Sequence, residues 1–241
     1  MTSTNNTISL ELDCNTREDS PSSKHLRPRI ISIEGNIGSG KTTLLAKLKE
    51  HYLSNPNIVF LKEPVNEWLK IVDSDGKTML EKFYTNQVKY SFAFQMMAYI
   101  SRLAIVKKAV ETNLPGTIFI TERCLYTDKH IFAKMLYDQD KIEDVCYQIY
   151  LNWFEEFASA FPIESIVWVN TEPEICHERI HKRSRLGEEI ISIDYLVDCN
   201  FYHHSYINEM NVKTITLNGN EDIFEDPKFL EEWIRKIDKL I

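Results

Sequence analysis

Residues 35–43 of the chain read Gly35-Asn36-Ile37-Gly38-Ser39-Gly40-Lys41-Thr42-Thr43. This stretch fits G-x-x-x-x-G-K-[ST], the pattern of a phosphate-binding loop. The apolar run Arg29–Ile33 precedes it and predicts a buried strand, and apolar residues at helical spacing follow it. Glycines let consecutive backbone N–H groups point at phosphate oxygens, and the next helix adds the positive end of its dipole. The stretch therefore predicts a nucleotide site in an α/β fold.

Two side chains of this loop can contact the phosphates or the metal ion of a nucleotide. Lys41 can reach the terminal phosphates of a nucleotide, and the hydroxyl of Thr42 can coordinate Mg²⁺. The alternative interpretation is a glycine-rich turn with a surface lysine. The strand before the loop and the helix after it favour the phosphate site.

Length and composition exclude several classes of protein. A chain of 241 residues with 43% hydrophobic content suits one large α/β domain. No apolar stretch reaches the ~18 residues that span a bilayer, so we expect no membrane partner. The net charge of −8 argues against a nucleic-acid partner. Five widely spaced cysteines without C-x-x-C indicate free thiols in a reducing compartment, and we expect a cytoplasmic protein.

The first 28 residues differ from the rest of the chain. They are rich in Ser, Thr and Asn and include four acidic residues, so residues 1–28 are predicted to be a disordered tail before a domain over 29–241. The acidic residues and the lack of an apolar core argue against a secretory signal. The acids also weigh against a mitochondrial presequence.

Strand-like and helix-like segments alternate after the tail. The predicted strands are 29–33, 58–62, 117–121, 165–169 and 212–217. The predicted helices are 91–113, 126–137, 142–160, 173–185, 193–209 and 227–241. Nearly continuous apolar strands between helices predict the α/β class, with a five-stranded parallel sheet flanked by helices on both faces.

Charged residues follow three of these strands. The phosphate loop follows the first, Glu63 the second, and Glu122-Arg123 the third. Ligands of such sheets bind outside the carboxyl ends of the strands, so these groups should converge. Two carboxylates, an arginine and a phosphate loop suit phosphoryl transfer, in which catalysis is mostly positioning and charge neutralisation.

Several motifs, in this order and spacing, resemble those of the deoxyribonucleoside kinases. They are Gly35-Asn36-Ile37, Glu63-Pro64-Val65 with Trp68, Ser91-Phe92-Ala93-Phe94-Gln95 with Ser101-Arg102, and Glu122-Arg123 with Asp128 and Phe132. The resemblance runs from about Ile30 to the C-terminus and is strongest to the deoxycytidine, deoxyguanosine and deoxyadenosine kinase branch. It implies a P-loop kinase fold, ATP and Mg²⁺ as cofactors, a deoxynucleoside substrate and a homodimer.

The resemblance assigns roles to the residues that follow the strands. It makes Glu63 the general base for the substrate 5′-hydroxyl, and it places Arg123 at the hydroxyl and the transferring phosphoryl group. It gives Glu122 the task of holding Mg²⁺ through water. The alternatives are a solvated carboxylate at Glu63 and an ordinary surface ion pair at Glu122-Arg123.

A second group of residues concerns the base of the substrate. Gln95 and Arg102 are seven positions apart and return to within about 20° of one helix face. The resemblance implies that Gln95 pairs with the Watson–Crick edge, Phe132 stacks on the ring, and Arg102 pairs with Asp128 near the exocyclic group. We therefore expect deoxycytidine and deoxyadenosine, with deoxyguanosine as a further candidate, ahead of thymidine. The alternative is a helix whose polar edge meets solvent.

The sugar contacts and the apolar walls come from the resemblance as well. Tyr84 and Glu188 match its sugar contacts, and Glu189 is a rival because Gly187 shifts the alignment. The expected apolar lining consists of Val65, Trp68, Leu80, Phe94 and Ala98, which could equally be ordinary core.

The basic helix supports two hypotheses. His177-Glu178-Arg179-Ile180-His181 matches the zinc protease signature H-E-x-x-H, but the glycine and third histidine of the longer pattern are missing. Its arginines, Arg179, Arg183 and Arg185, match those of a phosphate-closing lid at about 179–189. A solvated basic helix face is the plain alternative.

The C-terminal part carries the expected donor site. Residues Glu221 and Asp222 resemble the adenine-binding loop of the family, but Ile223 stands where an aromatic residue is usual. The expected donor is therefore ATP or another nucleoside triphosphate. A thymidylate-kinase-like monophosphate kinase and a non-catalytic nucleotide-binding module remain as alternatives.

Overall fold

The computed structural model describes residues 27–185, 187–223 and 226–241. Its five strands are β1 (Arg29–Glu34), β2 (Ile58–Leu61), β3 (Ile118–Glu122), β4 (Ser165–Asn170) and β5 (Lys213–Asn218). They form one sheet in the order β2-β3-β1-β4-β5, and every neighbouring pair is parallel. This confirms the predicted sheet. Apart from Arg27 and Pro28, the predicted tail lies outside the described residues.

Ten α-helices and one π-helical segment accompany the sheet in the described residues. The helices are α1 (Lys41–His51), α2 (Val65–Trp68), α3 (Met79–Thr85), α4 (Gln87–Thr112), α5 (Leu125–Thr127), α6 (Lys134–Asp138), α7 (Asp144–Ala158), α8 (Pro173–Arg183), α9 (Ile193–Glu209) and α10 (Pro227–Ile237). The π-helical segment, Asp128–Ala133, joins α5 to α6.

The strands are covered on both faces because their alternate residues point to opposite sides. Ile31 packs with Leu44 of α1 and Trp233 of α10 on one face of the sheet. Its neighbour Ile30 packs with Val106 of α4 on the other face. The P-loop kinase type of α/β fold follows from this arrangement together with the phosphate loop after β1.

The predicted helices differ from the observed ones mainly near α3 and α4. Helix α4 begins at Gln87, earlier than predicted, because the Asn86 side chain accepts a hydrogen bond from the Lys89 backbone N–H at 3.1 Å. Helix α3 was missed, although Thr78 and Glu81 form a complete capping box at its start. The T-x-x-E spacing was the sequence signal for it.

The phosphate loop and the charged residues that follow the strands lie at one edge of the sheet, at the carboxyl ends of the strands. Strand β1 leads into the phosphate loop, β2 ends two residues before Glu63, and β3 ends at Glu122. The four cysteines within the described ranges are free, and Cys14 lies outside them. No helix among the described residues is long and apolar enough to cross a membrane.

Candidate active site

A cavity of about 450 Å³ opens at the carboxyl edge of the sheet. Its size is in the range of small-molecule sites. All the site residues predicted from sequence line it, except Gly35 and Asn36. The cavity therefore brings together the phosphate loop, the carboxylates that follow the strands, the α4 face and the arginines of α8.

Gly35 and Asn36 do not line the cavity, but their contacts with the rest of the fold hold the phosphate loop in place. The Asn36 side chain donates to the Leu196 carbonyl at 2.8 Å and accepts from the Ile37 N–H at 2.8 Å. At Gly35 the backbone has φ +146°, and a Cβ would lie 2.5 Å from the Val169 carbonyl oxygen. Only glycine allows so close an approach, so these two residues shape the loop without facing the cavity.

The phosphate loop presents backbone N–H groups and the Lys41 amine, both of which can donate hydrogen bonds to an anion. Helix α1 begins after Gly40 without a side-chain cap, which leaves backbone N–H groups for an anion. Lys41 is buried and donates from Nζ to the Asn36 carbonyl at 2.6 Å. Burial and the positive charge of Arg123 lower the pKa of Lys41 to about 7. A bound phosphate would supply the negative charge that this lysine lacks.

Glu63 lies between two arginines. Its Oε1 accepts from Arg102 Nη2 at 2.9 Å and lies 3.4 Å from Arg123 Nε. Burial opposes its charge, but Arg102, Arg123 and Lys41 outweigh burial and lower the pKa of Glu63. Glu63 is therefore ionised at neutral pH. Both of these arginine contacts are made to Oε1.

Arg102 is fixed in the cavity wall by a buried ion pair. Its Nε lies 2.9 Å from Asp128 Oδ2, its Nη2 3.3 Å from Asp128 Oδ1, and its Nη1 2.8 Å from the Glu122 carbonyl. The side chains of Arg102 and Asp128 are only 5% and 2% exposed. The pairing of these residues expected from the resemblance is present. Nearby, the Oε1 atom of Gln95 is buried and has no hydrogen-bond partner among the residues that the structure describes.

An orphaned carboxylate oxygen lies next to the phosphate loop. The hydroxyl of Thr42 donates to Glu122 Oε1, and within the described part of the chain the buried Glu122 Oε2 has no hydrogen-bond partner. Buried polar atoms are normally satisfied, so this oxygen calls for a ligand. A carboxylate and a hydroxyl are the oxygen donors that Mg²⁺ prefers, so these two residues fit the expected ion.

Aromatic rings build the apolar side of the cavity. The ring of Phe94 stacks on Phe83 at 4.4 Å between centroids and meets Trp68 edge-on at 5.7 Å. Tyr84 meets Tyr195 edge-on at 5.9 Å. Aromatic walls of this kind suit a flat ring.

The arginines of α8 and the loop after it are held by acidic and carbonyl oxygens. Arg183 and Arg185 both pair with Glu188, the latter at 2.8 Å. Arg179 donates to the Gly219 carbonyl at 2.8 Å and so connects α8 to the loop after β5. Glu188 is buried and lines the cavity, whereas Glu189 is exposed.

The H-E-x-x-H motif does not extend into a metal cluster. The Nε2 atoms of His177 and His181 are 3.0 Å apart on α8. No group of three or more potential metal ligands occurs in the parts of the chain that the structure describes. The zinc protease hypothesis finds no further support in the geometry.

Sequence reasoning missed five residues of the cavity wall, Phe83, Lys182, Tyr195, Gly219 and Trp233. Gly219 had a usable signal, since a glycine directly after a strand often marks a close backbone approach. A Cβ there would lie 1.9 Å from the Thr171 hydroxyl oxygen. The three aromatic residues looked like ordinary core, because apolar periodicity cannot separate a cavity wall from a packed interior.

Comparison with known proteins agrees with this site. The sequence profile of the family "Deoxynucleoside kinase" matches residues 31–241. Deoxycytidine kinase 2 of Gallus gallus is 29% identical, with 90% of this chain and 91% of the relative covered. A probable deoxycytidine kinase of fowlpox virus is 33% identical, with 81% of each chain covered. The mitochondrial deoxyguanosine kinase of Xenopus laevis is 27% identical, with 83% of this chain and 85% of the relative covered.

The chain belongs to the deoxynucleoside kinase family. It is therefore a nucleotide-binding phosphotransferase that phosphorylates nucleosides, and the cavity is the candidate for its active site. This family membership excludes the two alternatives from the sequence analysis, a monophosphate kinase and a non-catalytic nucleotide-binding module.

Proposed function

We propose that the chain transfers the γ-phosphate of ATP to the 5′-hydroxyl of a deoxyribonucleoside in an Mg²⁺-dependent reaction that serves nucleotide salvage. The observation that carries the proposal is the shared cavity of Lys41 and Glu63. An anion-binding loop and an ionised carboxylate face the same space, which is what direct transfer to an alcohol needs.

Glu63 is proposed to be the general base. A substrate hydroxyl at Oε2 would donate its proton there as the hydroxyl oxygen attacks the γ-phosphorus. The two arginines at Oε1 hold the carboxylate in one orientation while this occurs. In a loose phosphoryl-transfer transition state little proton abstraction is needed early, so a base with a lowered pKa suits the reaction.

The negative charge of the transferring group is proposed to be met by fixed cations. Lys41 and Arg123 both line the cavity. Arg183 and Arg185 are proposed to act as a lid that leaves Glu188 for phosphate oxygens when nucleotide binds. Thr42 and Glu122 would hold Mg²⁺, which would neutralise phosphate charge.

The base preference is proposed to follow from the α4 wall. Gln95 and the Arg102–Asp128 pair present amide, guanidinium and carboxylate groups to the base. Deoxycytidine and deoxyadenosine carry an exocyclic amino group that can meet these groups, while thymidine presents a carbonyl and a methyl group. The names of the similar deoxycytidine and deoxyguanosine kinases support a nucleoside whose base carries an exocyclic amino group.

The adenine of ATP is proposed to lie at the loop after β5. Glu221, Asp222 and Ile223 line that end of the cavity together with Trp233. Ile223 also packs against the core cluster that contains Trp233. This apolar surface would receive the purine in place of the missing aromatic residue.

We further propose that the working form is a homodimer. Helix α7 exposes four large apolar side chains at four-residue spacing, Val145, Ile149, Trp153 and Phe157, with exposed fractions of 66, 40, 50 and 43%. We call this set the α7 stripe. A contiguous apolar stripe on a helix favours a protein partner over water, and a second copy would bury it symmetrically.

The substrate proposal is tested with the purified chain, γ-labelled ATP, Mg²⁺ and the four natural deoxynucleosides. We expect kcat/KM for deoxycytidine or deoxyadenosine to exceed that for thymidine at least about 100-fold, since unmatched buried polar groups are costly. Asp128→Asn should narrow this preference, because it removes the charge that orients Arg102. Asp140→Asn, at an exposed position, is the matched control and should leave the preference unchanged. Thymidine as the best substrate would contradict the proposal.

A further inference from the structure

His203 is enclosed beside the active site on α9 without lining the cavity. It is only 1% exposed, and its ring contacts Arg123 and the backbone of Cys199 and Gly35. Its Nε2 lies 3.2 Å from Arg123 Nη1, and its Nδ1 lies 2.6 Å from the Cys199 carbonyl oxygen. His203 therefore connects the helix backbone to the arginine of the site.

The short contact with Cys199 indicates which ring nitrogen carries the proton. A carbonyl oxygen only accepts, so Nδ1 must be the donor to Cys199. The lone pair of Nε2 then accepts an N–H of Arg123. Burial and the charge of Arg123 hold the pKa of His203 well below its usual value, so the ring stays neutral beside a permanent cation. Because Cys199 lies four positions before His203, the helix itself supplies the carbonyl that fixes the tautomer.

Arg123 is constrained on several sides. Its backbone φ is +63°, in the left-handed region that costs a non-glycine residue energy. Its guanidinium carbon lies 4.7 Å from the centroid of the Phe132 ring, and that ring meets His203 edge-on at 6.1 Å. Glu63 contacts its Nε. Nε of Arg123 thus faces Glu63 and Nη1 faces His203. Nη2 is the guanidinium nitrogen without a described protein contact.

We propose that His203 is a positioning residue that acts through Arg123. As a neutral acceptor His203 holds Nη1 of the Arg123 guanidinium, so that Nη2 points at the transferring phosphoryl group. The inference rests on the proposed function, in which Arg123 contacts that group. His203 itself touches no substrate.

Steady-state kinetics test the role of the acceptor. His203→Leu removes the acceptor at similar size, and His203→Gln restores an acceptor oxygen near the position of Nε2. We expect His203→Leu to lower kcat about 10- to 100-fold with KM for the nucleoside changed less than about threefold, because only the transition-state contact is misplaced. His203→Gln should recover at least about a tenth of wild-type kcat. The neighbouring His204→Leu, which loses only an edge-on contact with Trp168, should retain wild-type kcat.

A double-mutant cycle separates positioning from general structural support. If His203 acts through Arg123, His203→Leu should cost no further activity in an Arg123→Ala background. Multiplied losses in the double variant would overturn the proposal. A matching loss in His204→Leu, or an equal loss in the Gln and Leu variants, would overturn it as well.

Ring ¹⁵N shifts of the wild-type chain give a readout that needs no activity. We expect His203 to be neutral with the proton on Nδ1, and its Nε2 resonance to shift in Arg123→Ala. A proton on Nε2, a charged ring or an unchanged resonance would overturn the contact, even if His203→Leu failed to fold. A wild-type chain that phosphorylates no nucleoside yet shows this tautomer would refute the proposed function while the contact stood.

Discussion

The pKa of Lys41 in the free chain is set so that a bound phosphate would change the protonation state of its amine. It is buried among groups that include Arg123, and its pKa falls to about 7. In the folded chain it is therefore largely neutral above that pH. A triphosphate beside Nζ would reverse the balance, because a nearby negative charge favours the protonated form.

Nucleotide binding should therefore take up a proton at Lys41. At pH 8 we expect uptake of close to one proton per bound ATP, since the pKa rises from about 7 in the free chain toward the ordinary lysine value. Titration calorimetry in two buffers of different ionisation enthalpy measures it. Lys41→Met is the control and should abolish the uptake. Equal uptake by the wild type and the variant would show that Lys41 is already charged in the free chain.

The same lowered pKa affects stability. An unfolded lysine binds its proton more tightly than the buried one, so the unfolded state holds more protons between about pH 7 and the ordinary lysine pKa of 10.5. The contribution of Lys41 to the free energy of unfolding therefore rises with pH across this window.

Individual residues of the site were largely predictable from sequence, but their contacts were not. Glu63 was found because it follows a strand, and Gln95 and Arg102 because they share a helix face. The ion pair between Glu63 and Arg102 joins residues 39 positions apart and depends on tertiary packing. His203 gave no signal for this role, because a histidine in a polar stretch looks the same whether or not it contacts an arginine.

At the scale of elements, the strands were predicted well and the short helices poorly. Nearly continuous apolar runs such as Ile166–Val169 are unambiguous once helices flank them. Helix α3 has only seven residues, too few for a periodic pattern, and its capping box was overlooked. The π-helical turn over Asp128–Ala133 has no sequence signature, because the extra residue is accommodated by packing.

The phosphate loop and α8 approach closely at Gly38. Its φ is +82°, and a Cβ would lie 2.5 Å from the Cys176 carbonyl oxygen of α8. We expect Gly38→Ala to reduce ATP affinity at least about 10-fold and to lower the free energy of unfolding by about 1–3 kcal/mol beyond the cost of the backbone conformation. Urea denaturation and ATP titration measure the two effects.

Gly76→Ala is the matched control for this substitution. Gly76 has a similar φ of +79°, but no atom of the described residues lies within 4 Å of its Cβ position. It should therefore show the conformational cost alone, about 1 kcal/mol, with unchanged ATP affinity. Equal losses in the two variants would mean that the contact with α8 does not determine the shape of the loop.

At the scale of the whole molecule, the parallel sheet gathers distant sequence segments at one edge. The cavity is lined by residues from Ile37 to Trp233, almost the full length of the described chain. The α7 stripe belongs to a different surface, since none of its four residues lines the cavity. Dimer formation and catalysis can therefore be disturbed separately.

Sedimentation of the wild type and two variants tests the dimer. We expect the wild type to sediment as a dimer at micromolar concentration and Trp153→Glu as a monomer, because a charge in the α7 stripe cannot be buried unpaired. Phe201→Glu is the control, as Phe201 is 67% exposed on α9, outside the stripe. A monomeric wild type, or a dimeric Trp153→Glu, would refute the proposed partner surface.

The central claim is that Glu63 accepts the proton of a nucleoside hydroxyl in the cavity of the phosphate loop. The most direct measurement is the rate of labelled deoxycytidine 5′-monophosphate formation by the wild type and by Glu63→Gln, with deoxycytidine affinity measured alongside. We predict product from the wild type, and a kcat lowered about 10²- to 10⁴-fold in Glu63→Gln with the affinity changed less than about threefold. A variant that turns over at the wild-type rate, or a wild type that labels no deoxynucleoside, would contradict the account.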